Sequence, residues 1–199
     1  GDSNIGIGLK TLFNNTTGNY NTALGLCSQM TQNGGSNNFS VGYGSMRDAT
    51  GGCHNVALGS NALCLNTTGT HNTGIGPQSL ANNKTGSHNV ALGNQSLYFA
   101  SSGTHNFAGG YRALYSNWGG YCNTAIGESA LESNTTGGNN QAIGARALCS
   151  NTTGSHNSAI GSSALYSNTT GVDNVAIGRA PLGTNTTGSY NTGIGQYAL

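Results

Sequence analysis

Apolar residues recur along this chain with a period of seventeen, and within each period they hold two places five residues apart. In Gly154–Thr170, GSHNSAIGSSALYSNTT, these are Ile160 and Leu165. With Gly1 as position one, position seven is aliphatic in Ile7, Leu24, Val41, Leu58, Ile75, Leu92, Ile126, Ile143, Ile160, Ile177 and Ile194, and Gly109 is the one exception. Position twelve is Leu or Met except at Gln29. A spacing of five does not sustain a helical stripe, and two glycines with an Asn-Thr-Thr-Gly turn in each period would break a helix repeatedly. The pattern predicts short strands: one through N-x-A-I-G and a second through x-A-L-x, joined by a turn at the position-eight glycine and a longer turn at S-N-T-T-G.

The units begin at Gly1, Gly18, Gly35, Gly52, Gly69, Gly86, Gly103, Gly120, Gly137, Gly154, Gly171 and Gly188, so residues 1–199 form a single repeat domain. The predicted fold is all-β: a parallel β-solenoid, or β-roll, of 17-residue coils with two short strands each and about 12 coils. At about 4.8 Å per coil this is a rod roughly 55 to 60 Å long. Positions seven and twelve are expected to fill the core, and glycines one and eight to turn the corners with positive φ. Position four is always Asn, in Asn4, Asn21, Asn38, Asn55, Asn72, Asn89, Asn106, Asn123, Asn140, Asn157, Asn174 and Asn191. Such a column is expected to stack as a structural ladder, each amide bridging to the corner backbone of the next coil.

Position six is always Ala, Gly or Ser, and position eleven Ala, Ser, Thr or Pro. Two sizeable apolar side chains bury little area against the ordering entropy of seventeen residues, so neighbouring chains are expected to supply burial where these small residues allow close approach. A homotrimer, or an end-to-end fibre, is the partner expectation. The chain stops directly after a core position, at Leu199, and reads as a segment of a longer fibre.

Composition removes other classes. Only 35% of residues are hydrophobic, 6% are charged and 34 are Gly, which argues against an ordinary globular core. Six basic and five acidic residues leave no footprint for nucleic acid, and no apolar run is long enough for membrane insertion. The five cysteines, Cys27, Cys53, Cys64, Cys122 and Cys149, form no consistent column or CxxC pair.

The segments Asn123-Thr-Ala-Ile-Gly-Glu-Ser-Ala-Leu131 and Asn157-Ser-Ala-Ile-Gly-Ser-Ser-Ala-Leu165 resemble the head repeats of bacterial trimeric autotransporter adhesins. With the S-N-T-T-G turns they look still more like arrays in tail-fibre and surface proteins of phages and large DNA viruses. The autotransporter heads usually have shorter repeats. The resemblance spans the whole chain and implies a trimeric, left-handed parallel β-roll, extracellular on a cell or virion surface, acting as a stalk or adhesin; a cell-surface carbohydrate is the receptor candidate.

Several residues carry candidate chemistry. All five histidines occupy position three, with His54, His71, His88 and His105 in consecutive coils and His156 apart. This column reads as a tolerant stacked surface position, and a metal-binding or pH-sensitive stripe is the alternative. Sequons place glycosylation candidates at Asn15, Asn66, Asn83, Asn134, Asn151, Asn168 and Asn185, with others at Asn14, Asn38 and Asn94. A ladder of paired threonines, such as Thr152-Thr153 and Thr169-Thr170, raises a second reading, a carbohydrate- or ice-binding Thr/Asn turn face. Aromatics gather at Tyr98, Phe99, Phe107, Tyr111, Tyr115 and Trp118, beside Gly109. Filling the space Gly109 leaves is the expected role, and stacking of a ligand on Trp118 and Tyr115 the alternative. The carboxylates Asp2, Asp48, Glu128, Glu132 and Asp173 fall in different coils and columns, so no catalytic residues and no cofactor are expected.

Overall fold

The computed structural model describes residues 1–199 as a β-solenoid without helices. Each coil contributes one three-residue strand, from β1 (Ile5–Ile7) to β12 (Thr192–Ile194). The twelve strands form one parallel sheet in sequence order. Register is uniform at one coil: Ser158 pairs with Val175, Ala159 with Ala176 and Ile160 with Ile177. Of 127 backbone hydrogen bonds only 22 lie within the strands, so turn stacked on turn carries most of the coil-to-coil bonding.

The second segment, expected as a strand, is a run of turns. Positions ten and twelve both take left-handed backbone, as Ser163 (φ 57°) and Leu165 (φ 51°) do, and this breaks extension. It still bonds to its neighbours, through Ser163 N–H to Ala145 C=O (2.9 Å) and Leu165 N–H to Pro181 C=O (3.1 Å). The left-handed turn is what aims the position-twelve leucine inward: Leu63, Leu80, Leu97, Leu114, Leu131, Leu148 and Leu165 are all fully buried.

Position seven is not core. Strand side chains alternate, and position six points inward: Ala57, Ala91, Ala108, Ala125, Ala142, Ala159 and Ala176 are fully buried. The aliphatics at position seven therefore face out, with Ile75, Ile126, Ile160 and Ile177 about 40% exposed. Position eleven is also interior, as in Ala113, Ala130, Ala147 and Ala164. The small residues at six and eleven are thus small because a coil's interior holds one leucine and two methyl-sized groups, and they are not the contact with a neighbouring chain.

The two glycine columns act differently. Position eight has positive φ throughout, 117–139°, a region that side chains avoid. Position one does not take the expected positive φ. There the constraint is room: a Cβ on Gly103 would sit 2.7 Å from the Gly120 oxygen and 3.0 Å from Asn117 Nδ2. Left-handed corners fall instead at position three, including His54, His71, His88, Asn139 and Asp173.

Candidate functional site

The position-four asparagines form the expected ladder. Asn140 N–H donates to Asn123 Oδ1 at 2.9 Å, and Asn140 Nδ2 donates to the Gly154 carbonyl at 2.8 Å. The sequon asparagines form a second ladder beside it. Asn151 Nδ2 donates to the same Gly154 carbonyl (2.9 Å) and to Asn134 Oδ1 (2.8 Å). Asn66, Asn83, Asn134, Asn151 and Asn168 are fully buried, and Asn15 and Asn185 make the equivalent bond to Gly18 and Gly188. In the folded coil these asparagines are structural and not presented to solvent as the sequons suggest: Nδ2 points inward to a carbonyl, and at the fully buried positions a glycan has no space. Asn38, the further sequon within the position-four column, is buried too.

The threonine face is partly spent on the backbone. Thr135 Oγ1 donates to Thr152 C=O, Thr152 Oγ1 to Thr169 C=O and Thr169 Oγ1 to Thr186 C=O, at 2.9–3.0 Å. Only the second hydroxyl of each pair is left toward solvent in these coils.

The four consecutive histidines are exposed and stack face to face, with ring centroids 4.9, 4.8 and 4.9 Å apart and planes within 12°. His156 stands apart, its Nε2 3.4 Å from Asn139 Nδ2. The rings form a line, and no three His, Cys, Asp or Glu side chains converge on a point where a metal ion could be held. All five cysteines are free thiols. Burial pushes the Cys64 and Cys149 thiols above their ordinary range.

The aromatic residues separate into two groups. Tyr98 and Tyr115 stack at 5.3 Å with planes 8° apart, and Phe99 packs edge-on against both, 4.6 Å from Tyr98 and 5.3 Å from Tyr115. Arg112 lies 4.3 Å from the Tyr115 centroid and pairs with Glu132 at 2.9 Å. Trp118 takes no part in this cluster and is 61% exposed, so it does not fill the space at Gly109. Phe107 stands there instead, its Cε1 3.4 Å from where a Gly109 Cβ would be.

Two features escaped the sequence reading. One is the outer sheet face: across all twelve coils neither position five nor position seven carries a charge. Its signal was present in the strict alternation of the three-residue strand. The other is a recess lined by Arg47, Asn61, Cys64, Gln78, Ala81 and Tyr98 among others, whose signal is a local loss of bulk at position thirteen. No helix of the structure is long and apolar enough to cross a membrane. Comparison of the chain with protein-family models, curated proteins and solved structures finds no match.

Proposed function

We propose that this chain is a rod-forming segment of a fibre displayed on a cell or virion surface, which assembles with copies of itself through its sheet face and serves as a stalk or attachment module. The observation that carries the reading is the apolar ribbon along that face. Ile75, Leu92, Ile126, Ile143, Ile160 and Ile177, each 37–42% exposed, follow one another at the spacing of the coils, and only Gly109 interrupts them. A contiguous exposed apolar patch of this kind often marks an interaction surface.

A second copy is the natural cover. Its ribbon has the same one-coil spacing, so two or three rods laid parallel bring every aliphatic into register, and cyclic closure of three leaves no ribbon exposed. The narrow interior supports the same view, since one leucine and two alanines per coil bury little area against the ordering of seventeen residues. The resemblance of the N-x-A-I-G-x-x-A-L units to trimeric adhesin heads and viral fibre arrays agrees with it. Native mass spectrometry and sedimentation equilibrium of the chain test the reading. The expected mass is three times the 20.0 kDa of one chain, and a stable monomer at micromolar concentration overturns it.

A further inference from the structure

The sheet face is nearly regular, but position thirteen is not. From the third coil onward that column runs Arg47, Cys64, Ala81, Tyr98, Tyr115 and Glu132. Two short side chains therefore stand between an arginine and a tyrosine, and the missing bulk leaves a recess of about 210 Å³. This is smaller than the roughly 300–1,000 Å³ of a drug-sized pocket and is sized for one ring-sized unit. Cys64 and Ala81, both 6% exposed, lie low in the column, while Asn61 and Gln78 from position ten and Asn82 from position fourteen also line the recess.

Its two ends are chemically different and both are held in place. At one end stands Tyr98. Tyr115 stacks on one of its faces, so the other face looks along the rod toward the coil of Ala81 and into the recess. Phe99 fixes the ring edge-on, and the Glu132–Arg112 pair caps the far side of the stack, so the platform is formed before any ligand arrives. At the other end Arg47 donates Nε and Nη2 to Asp48 Oδ2, at 3.1 and 2.8 Å, which leaves Nη1 as a free donor. Gln78 accepts at Oε1 from Gln95 Nε2 (2.9 Å), so its own amide nitrogen is the group left to offer.

An aromatic face, planar amides and a guanidinium around an uncharged floor match a ring that has C–H bonds on one face and hydroxyls at its rim. Because Asp48 neutralises Arg47, the recess carries no net charge to favour an anion. We propose that this recess binds one neutral saccharide ring, a hexose or N-acetylhexosamine at the end of a surface glycan, with its C–H face on Tyr98, its rim hydroxyls toward Gln78 and Asn61, and the substituents of its opposite face toward Arg47. The proposal rests on the attachment reading, to which it adds the ligand class and the place of contact.

The test uses the full chain on a glycan array presenting terminal mannose, glucose, galactose, N-acetylglucosamine, N-acetylgalactosamine, fucose, sialic acid and sulfated sugars, followed by saturation-transfer NMR with the corresponding methyl glycosides. Two variants accompany it: Ala81→Tyr, which fills the recess, and Tyr98→Ala, which removes the platform. Both residue types already stand at position thirteen, in Tyr115 and Ala81, so the coil accepts them. The expected result is binding to neutral termini that falls about tenfold or more in each variant, with unchanged melting temperature and assembled mass. No binding to any sugar, binding confined to sialylated or sulfated termini, or binding equal in wild type and Ala81→Tyr overturns the proposal. None of these bears on the fibre reading, which stands or falls on the assembled mass of the same samples.

Discussion

The side-chain amides of Asn140 and Asn151, eleven residues apart in sequence, meet on one carbonyl oxygen, that of Gly154, at 2.8 and 2.9 Å. The same geometry recurs from coil to coil, and position one is glycine because a Cβ on Gly154 would overlap Asn151 Oδ1 and sit 2.5 Å from the Gly171 carbonyl oxygen and 3.0 Å from Asn168 Nδ2. Asn151→Ala is expected to lower stability by about 1–3 kcal/mol, because it leaves Asn134 Oδ1 buried without its donor. Asn140→Ala should cost more: it orphans the buried backbone N–H of Asn157, which donates to Asn140 Oδ1 at 3.0 Å, whereas Asn168 Nδ2, the donor to Asn151 Oδ1, keeps the Gly171 carbonyl as an acceptor. Urea and thermal unfolding midpoints measure both, and an Asn151→Ala protein as stable as the parent would contradict the shared-carbonyl account.

Where the ladders are interrupted, repair should stabilise. Asn83 Oδ1 is buried with no partner because the next coil carries Ala100 in that column. Ala100→Asn supplies the donor and is expected to add about 0.5–1.5 kcal/mol. In the second coil Gln29 and Gln32 are fully buried with Gln29 Oε1 and both Gln32 amide atoms unpaired. Gln32→Asn lets Nδ2 serve Asn15 Oδ1 and the Gly35 carbonyl as in the rest of its column, and Gln29→Leu removes the orphaned Oε1 at the loss of the 2.8 Å bond from Nε2 to Ser40 Oγ; each should raise the unfolding midpoint by about 0.5–1.5 kcal/mol in free energy.

If the sheet face carries assembly as proposed, charging it should abolish assembly and leave the fold intact. Ile143→Glu with Ile160→Glu places two carboxylates on the exposed ribbon without touching the interior of Ala142, Ala159 and Leu165. The expected outcome is a monomeric protein whose far-ultraviolet circular dichroism retains the solenoid signature at low temperature, with sedimentation reporting the loss of assembly. An oligomer that persists in this variant would locate the contact elsewhere.

The thiols give a pH dependence whose sign follows from burial. Burial is the largest cause raising the Cys64 thiol, with Arg47 opposing it and Asp48 adding to it; burial likewise leads at Cys149, where Glu132 adds to it while Arg146 and Arg112 oppose it. The folded chain thus holds these protons to higher pH than the unfolded chain. Their contribution is fully present below the ordinary thiol range and is lost as pH rises through the raised values. The unfolding midpoint should therefore fall between neutral and alkaline pH, and Cys64→Ala with Cys149→Ala should flatten that slope. Maleimide labelling at neutral pH should reach the exposed Cys122 before Cys64.

Much of the coil was legible in the chain itself. The period, the ladder role of Asn4 through Asn191, the burial of Leu165 and its equivalents, and the need for glycine at position eight all follow from columns of identical residue type. Other features share a residue type but not a cause. Ile160 and Leu165 look alike as apolar residues, yet one faces water and the other the interior. Asn151 looks like a sequon, yet its amide is buried.

The sequence alone determined that coils of seventeen residues stack in register, because a strict repeat makes each residue the neighbour of its own kind. Only the tertiary structure decided which way each side chain points. A coil this narrow admits one leucine and two small groups, so Ala159 turns in and Ile160 must turn out, while Leu165 reaches the interior only by adopting a left-handed φ of 51° that leucine itself does not favour. The recess beside Tyr98 was likewise decided there, since it exists through the stacking of Cys64 and Ala81 between larger neighbours one coil away on either side.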